Sequence, residues 1–258
     1  MPDPVSERAL LEELGRDVAS LFGHAPQAQI ALRQDGWIGL SGEADAADLN
    51  MAAIYPGASP GGAMEIVRQL EAAGLALILL LPEQDETILS YARQSGLQIV
   101  AQIPVMERQA GPIDDSAMKC RARLGSPDEM EAAMALAARA FSLPPDQCVR
   151  ALPPALLDEG QRELWIAQSD GEMLGVGLFI RDGERVGIYT MATQPERQRC
   201  GAGRAVLVAA MQHYQERGVT RFTLGATAPG FPLYERVGFT TRAQLHVCVI
   251  GASTQFPG

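Results

Sequence analysis

Apolar residues in the first stretch of the chain recur at helical spacing. Leu10, Leu11, Leu14, Val18 and Leu21 lie on one face of a helix over residues 6–22. Ser6 can cap its first amides and Gly23 stops it. The period then shortens. Residues 29–32 and 37–40 flank Asp35-Gly36, a turn pair that predicts a β-hairpin. A third strand is predicted at 49–55, a loop at 56–62 rich in Pro and Gly, and a helix at 64–73 closed by Gly74. Residues 75–81 are continuously apolar, the pattern of a strand buried on both faces. A short helix at 86–94 stops at Gly96, and a strand follows at 97–106.

The stretch 109–117, with Gly, Pro and two Asp but no apolar period, reads as a linker. Beyond it, the order of elements resembles that of the first half. A strand at 119–124 precedes a helix that Pro127 starts behind Ser126, with Met130, Met134, Ala137 and Phe141 on one face. Residues 143–157 form a Pro-interrupted helical region. A hairpin over 163–180 leads into a central strand at 186–193, a glycine loop and an apolar helix from Ala205 that ends at Gly218. A strand at 221–226, a short helix at 231–236 and a strand at 239–250 complete the chain. The interval Gly74 to Gly96 parallels Gly218 to Gly238. The pattern therefore predicts two α/β lobes, residues 1–110 and 118–258, joined by a linker at 111–117, with the first lobe a degenerate copy of the second.

Composition narrows the class. In 258 residues, 47% are hydrophobic and 20% charged, enough apolar surface for two cores. The net charge of −10 argues against a nucleic-acid partner, which needs a basic face. Cys120, Cys148, Cys200 and Cys248 form no Cys-x-x-Cys pair and have no histidine at ligand spacing, so neither a metal nor a disulfide framework is predicted. The acidic, amphipathic N-terminus is not a signal peptide, and no apolar run is long enough to cross a bilayer. A cytoplasmic protein without membrane contact is expected.

The candidate chemistry centres on residues 186–205. A β-branched strand breaks at Pro195, passes through Gln198-Arg199-Cys200-Gly201-Ala202-Gly203 and enters a helix at Arg204 and Ala205. A helix start leaves backbone N–H groups without partners and carries partial positive charge, so it binds anions. Gly201 and Gly203 let the backbone approach closely, and Arg199 and Arg204 add full charges. No Gly-Lys-Ser/Thr closes the loop, and the third glycine of a dinucleotide fingerprint is missing.

The spacing Gln198-x-x-Gly201-x-Gly203, together with Tyr234-Glu-Arg-Val-Gly238-Phe239 downstream, resembles the GNAT superfamily of acyl-CoA-dependent N-acyltransferases over residues 118–250. The resemblance implies tandem GNAT-like lobes, each a mixed, mostly antiparallel twisted sheet flanked by helices. It implies acetyl-CoA as cosubstrate, its pyrophosphate held by Gln198, Arg199, Cys200, Gly201, Ala202, Gly203 and Arg204. The thioester carbonyl would be polarised by backbone N–H groups at Met191, Ala192 and Thr193, where the central strand splays from its neighbour. Tyr234 would be the acid that protonates the departing thiolate. Thr227 stands where many relatives carry a coenzyme-contacting Asn, and a Thr hydroxyl can still bond there. The first lobe has neither the signature nor a basic residue in its loop, and Ala92 falls where Tyr234 sits.

The acceptor would be a primary amine, on a small molecule, a peptide N-terminus or a lysine, for a monomer or homodimer. No base is evident among Glu163, Glu184 and Tyr189. His213 is expected to be solvated, His24 to complement a helix dipole, and His246 to face either side of the last strand. Two other functions remain open at this stage. One is a non-catalytic acyl-CoA-binding regulator, which the intact Tyr234 disfavours. The other is an aminoacyl-tRNA-dependent tandem acyltransferase, which the acidic charge disfavours.

Overall fold

The computed structural model describes residues 6–114, 120–158 and 160–251. Along the chain run α1 (Glu7–Phe22), β1 (Gln29–Leu32), β2 (Gly36–Leu40), β3 (Asn50–Ile54), α2 (Pro60–Ala73), β4 (Leu77–Pro82), α3 (Glu86–Gln94) and β5 (Ile99–Gln109). The second half contributes β6 (Arg121–Leu124), α4 (Met130–Phe141), α5 (Pro145–Ala151), β7 (Arg162–Ser169), β8 (Glu172–Asp182) and β9 (Arg185–Thr193). It closes with α6 (Ala202–Gln215), β10 (Arg221–Gly225), α7 (Phe231–Arg236) and β11 (Thr240–Ile250). Strands and helices fall where hydrophobic period placed them, with ends shifted by a few residues. The predicted strand start at Lys119 and the last linker positions, 115–117, lie outside the described residues.

The chain divides into two compact units, Met1–Val105 with Arg242–Gly258, and Met106–Thr241. In the first unit β1, β2 and β3 form an antiparallel meander, and β3 pairs with β4 in parallel. The sheet is covered on both faces, which is why every residue of β2 and of β4 is buried. Trp37 and Gly39 face α1, where Trp37 donates to the Leu11 carbonyl at 2.9 Å and the space over Gly15 is filled by its indole. Ile38 and Leu40 face a core built with Ile66, Val67 and Leu70 of α2 and Ile88 and Leu89 of α3. Asn50 accepts from Ser41 N–H and Gly42 N–H and donates to the carbonyls of Glu43, Ala46 and Ala76, so one buried amide fixes the turn at 41–46.

The free edge of β4 is covered by β11, antiparallel from Leu245↔Pro82 to Ile250↔Leu77. The last strand of the chain from Arg242 on thus lies in the unit formed by the first hundred residues, a division different from the expected lobe 118–258. The reason is physical. A fully buried, apolar β4 needs a hydrogen-bonded neighbour on both edges, and β11 supplies the second. His246 on β11 lies 3.4 Å from the Gln102 side chain.

In the second unit β6, β7, β8 and β9 are successively antiparallel, β9 and β10 are parallel, and the end of β5 lies beside β10. The core on the α6 side joins Phe179, Val186, Ile188, Val206, Met211, Tyr214 and Phe222. The segment read as a linker is tied down through its described part. The Arg108 guanidinium donates to the carbonyls of Gln109, Gly111 and Pro112, Gly111 N–H donates to Gln215, and Ile113 packs on the core.

Candidate active site

β9 and β10 run in parallel only over Arg185–Gly187 and Arg221–Thr223, and β9 continues to Thr193. Beyond Gly187 the backbone of β9 has no ladder partner in β10. On its other edge β9 stays paired with β8, but the register slips. Tyr189 faces Leu178 and Ala192 faces Val176, so Thr190 and Met191 share the place opposite Gly177. This is a β-bulge, and Thr190 takes φ +51°, a left-handed conformation uncommon for a β-branched residue. The bulge sets which side chains face α6. Met191 packs over Gly177, where a Cβ would come within 2.6 Å of its sulfur, and Thr193 turns its hydroxyl toward the start of α6. Of the trio 191–193, only backbone groups are therefore offered along the open edge of β9.

The loop after β9 is rigidly seated. Gln194 donates its backbone N–H to Leu174 O at 2.9 Å and its side chain to Met173 O at 2.7 Å. Pro195–Arg197 form a 3₁₀ turn. Arg199 and Gly201 both take positive φ, +61° and +97°. Gly201 is the N-cap of α6 and offers no side chain to satisfy its first amides. A Cβ on Gly203 would lie 3.3 Å from Leu233 Cδ2 and 3.6 Å from Thr193 Oγ1, so the end of β9, the start of α6 and α7 meet at this glycine. The Cys120 thiol donates to the Cys200 carbonyl at 3.7 Å, fixing the loop from below.

The charges around the loop are partly engaged. Arg197 pairs with Glu172 at 3.2 Å. Arg204 binds the backbone and carboxylate of Asp114. Gln198 and Arg199 are exposed, and among the described residues Arg199 forms no ion pair. The loop thus presents a free cation beside uncapped helix amides, a fit for a phosphate group.

Tyr234 sits on α7, 6% exposed, edge-on to Phe239 with 5.9 Å between ring centres. Burial pushes its phenol up to about 12. Thr227 begins α7 through its carbonyl, which accepts from Gly230 and Phe231 N–H at 3.0 and 2.9 Å. A Cβ on Gly230 would be 3.0 Å from the Tyr234 ring and 3.3 Å from Thr227 Oγ1, so these three positions converge. Tyr234, Thr227, Thr193 and Gly203 are thereby joined through the contacts of Gly230 and Leu233.

The carboxylates considered as bases lie elsewhere. Glu184 is in the β8–β9 turn, at the opposite end of β9 from Thr193, about 30 Å away at 3.3 Å per residue. Its carbonyl accepts from Thr220 N–H. Glu163 is buried at the far end of α6 with His213, whose Nε2 is 3.3 Å from its carboxylate. His213, expected to be solvated, is instead largely buried. It packs edge-on against Trp165, with 5.1 Å between ring centres.

Three structural features around the loop and α7 carried no sequence signal. The bulge at Thr190 hides in an ordinary β-branched run. Gln194 resembles any loop glutamine. Arg108, 9% exposed, is a charged residue in an otherwise strand-like stretch.

A parallel strand pair opens beside an uncapped, glycine-started helix, a geometry that can receive a phosphate group. Residues 116–231 match the acetyltransferase (GNAT) domain family. The matched segment lies within the second unit, Met106–Thr241.

Among sequence relatives is a mycothiol acetyltransferase of Beutenbergia cavernae, 33% identical over 127 residues, covering 45% of this chain and 43% of that protein. Another, from Streptomyces bingchenggensis, is 28% identical over 219 residues, covering 77% of this chain and 70% of that protein. The match to the first relative spans less than half of that relative's length. Among solved structures, a GCN5-related N-acetyltransferase from Kribbella flavida superposes with a TM-score of 0.69 at 18% identity, covering 96% of both chains. One from Sphaerobacter thermophilus gives 0.60 at 18% identity, again over 96% of both. The mixed, mostly antiparallel sheet flanked by helices is the fold these structures share.

Proposed function

We propose that the protein transfers an acetyl group from acetyl-CoA to a primary amine of a small molecule, directly within a ternary complex. The observation that carries this reading is the parting of β9 from β10 immediately before an uncapped helix start. Acetyl-CoA supplies the activated acyl group as a thioester. The first amides of α6, at 201–204, and the Arg199 guanidinium bind the pyrophosphate. Unpaired N–H groups on the open edge of β9, at 191–193, donate to the thioester oxygen as charge develops on it. As the amine nitrogen bonds to the carbonyl carbon and the C–S bond breaks, the phenol of Tyr234, held protonated by burial, donates its proton to the departing thiolate and regains one, through water, from the nitrogen that becomes the amide. Thr227 borders the same space and fixes the start of α7.

The first unit is proposed to be a degenerate copy of this domain that binds no coenzyme. Its elements follow the same order, with a parallel β3–β4 pair where the second unit has β9–β10. β3 ends at Ile54, one residue after its last pairing with β4, and so has no splayed extension.

The test is release of free thiol from acetyl-CoA against a panel of amines, amino acids, polyamines and aminoglycosides, with the acceptor of the mycothiol acetyltransferases included. Gly201→Glu and Gly203→Glu, which add bulk and negative charge at the helix start, are expected to abolish coenzyme A binding by calorimetry. Unchanged affinity in a folded variant would refute the loop assignment, and no turnover with any acceptor would refute the enzyme reading.

A further inference from the structure

Arg108 is a buried cation held by backbone carbonyls. Its Nε donates to Val237 O at 2.8 Å, one terminal nitrogen to Gln109 O at 3.1 Å, and the other to Gly111 O and Pro112 O at 3.4 and 2.8 Å. Among the described residues no carboxylate lies within ion-pair distance of it, and burial lowers its pKa. Its neighbour Glu107 is engaged by Arg221 at 3.1 Å and by Gln109. A buried guanidinium held only by carbonyls is costly, and such a group persists where the surrounding structure uses its geometry.

The geometry here bears on α7. With six residues, α7 is far too short to be stable alone. Its C-terminal carbonyls need partners, and cations at a helix C-terminus are favoured. Arg108 supplies both at Val237. Val237 N–H in turn donates to the carbonyls of Leu233 and Tyr234, and Phe239 N–H donates to Tyr234 O at 3.0 Å. Gly238 completes the arrangement. It takes φ +94°, and a Cβ there would stand 3.3 Å from Arg108 Nε. The glycine of the Tyr-x-x-x-Gly-Phe segment thus leaves room for the guanidinium as well as allowing the left-handed turn.

From this geometry we infer that Arg108 is a positioning residue for Tyr234: by clamping the C-terminal end of α7 it sets where the phenol hydroxyl points. The inference rests on the acid role proposed above, and it adds a residue outside the family-matched segment, which begins at 116. A misplacement of the donor by about 1 Å can cost up to about 10²-fold in rate. Loss of the clamp is therefore expected to appear in kcat and not in donor affinity.

The experiment is a double-mutant cycle on the full chain. Arg108→Met, Tyr234→Phe and the double variant are compared with wild type for thiol release from acetyl-CoA, using the fastest amine of the panel and, separately, water as acceptor. Arg108→Lys is carried in parallel. It keeps charge and stem but not the fork, so it reports even if the Met variant fails to fold. The expected result is a roughly tenfold fall in kcat for both Arg108 variants, an unchanged dissociation constant for coenzyme A, and little further loss when Arg108 is changed in the Tyr234→Phe background. Unaltered kcat in folded Arg108 variants, or losses that multiply in the double variant, would overturn the inference while leaving the acid role standing. Full activity of Tyr234→Phe would remove the acid role and this inference with it. A merely structural arginine would lower the melting temperature in every background without this dependence on Tyr234.

Discussion

At the scale of single residues, the proposal turns on a phenol. Tyr234→Phe removes one hydroxyl and keeps the ring against Phe239, so coenzyme A affinity should be unchanged. A positioned general acid contributes roughly 10²–10⁴-fold, but a coenzyme A thiolate is a good leaving group, with a pKa near the cysteine reference of about 8.5. A fall in kcat at the lower end, about tenfold or more, is the expected outcome of steady-state assays. Unchanged kcat on a competent acceptor would show the ring to be packing alone. The pH dependence has a definite sign. Burial raises the folded phenol to about 12, above its ordinary value near 10, so the proton it would donate is retained across the working range. No alkaline fall in kcat from this group is expected below about pH 11, and the stability its burial confers is complete below pH 10 and lost as pH rises through 12. Tyr234 was legible as a candidate because it stands in a spaced motif. Arg108 was not, because its role depends on carbonyls brought to it by folding, which leave no trace in residue type.

At the scale of elements, the proposed copy places α2 where the second unit has α6, and the two helices begin differently. α6 begins at a glycine with its first amides open. α2 begins at Ser59, whose hydroxyl accepts from Gly62 N–H at 3.1 Å, and its first residue is Pro60, which has no N–H to offer. The Asp35 carboxylate completes the closure. It accepts from Ser59 N–H at 2.7 Å, and a Cβ on Gly62 would collide with it at 2.1 Å. The place an incoming phosphate would need is taken by the chain's own carboxylate. Titration by calorimetry should therefore saturate at one coenzyme A per chain, and saturation at two would refute the degenerate copy. Gly62→Ala should destabilise by about 1–3 kcal/mol in chemical denaturation, as overpacking does. Gly61→Ala, with open space around it, should be neutral or slightly stabilising. Sequence spacing found both loops and noted that the first carries no cation. It could not find the plug, since Asp35 was explained fully as a hairpin turn residue.

At the scale of the whole molecule, hydrophobic period gave the elements but not their partners. A run such as Leu77–Pro82 announces that it is buried on both faces, yet nothing in it names β11 as its neighbour. The break at 111–117 therefore reads in the sequence as a place to separate two lobes, while the strand pairing says otherwise. A fragment of residues 1–110 keeps β4 with one edge unpaired and apolar, a known route to aggregation. Expressed alone, it should be insoluble or unfolded by circular dichroism. Co-expression with 111–258 should recover soluble material that co-purifies, and a soluble, cooperatively melting 1–110 would contradict the pairing. The same pairing also bears on synthesis. A ribosome makes β4 long before it makes β11, so the first unit waits for its missing strand while the entire second unit is being translated. During that interval its exposed edge depends on something other than its own sequence for protection, and the order of synthesis becomes a determinant of yield.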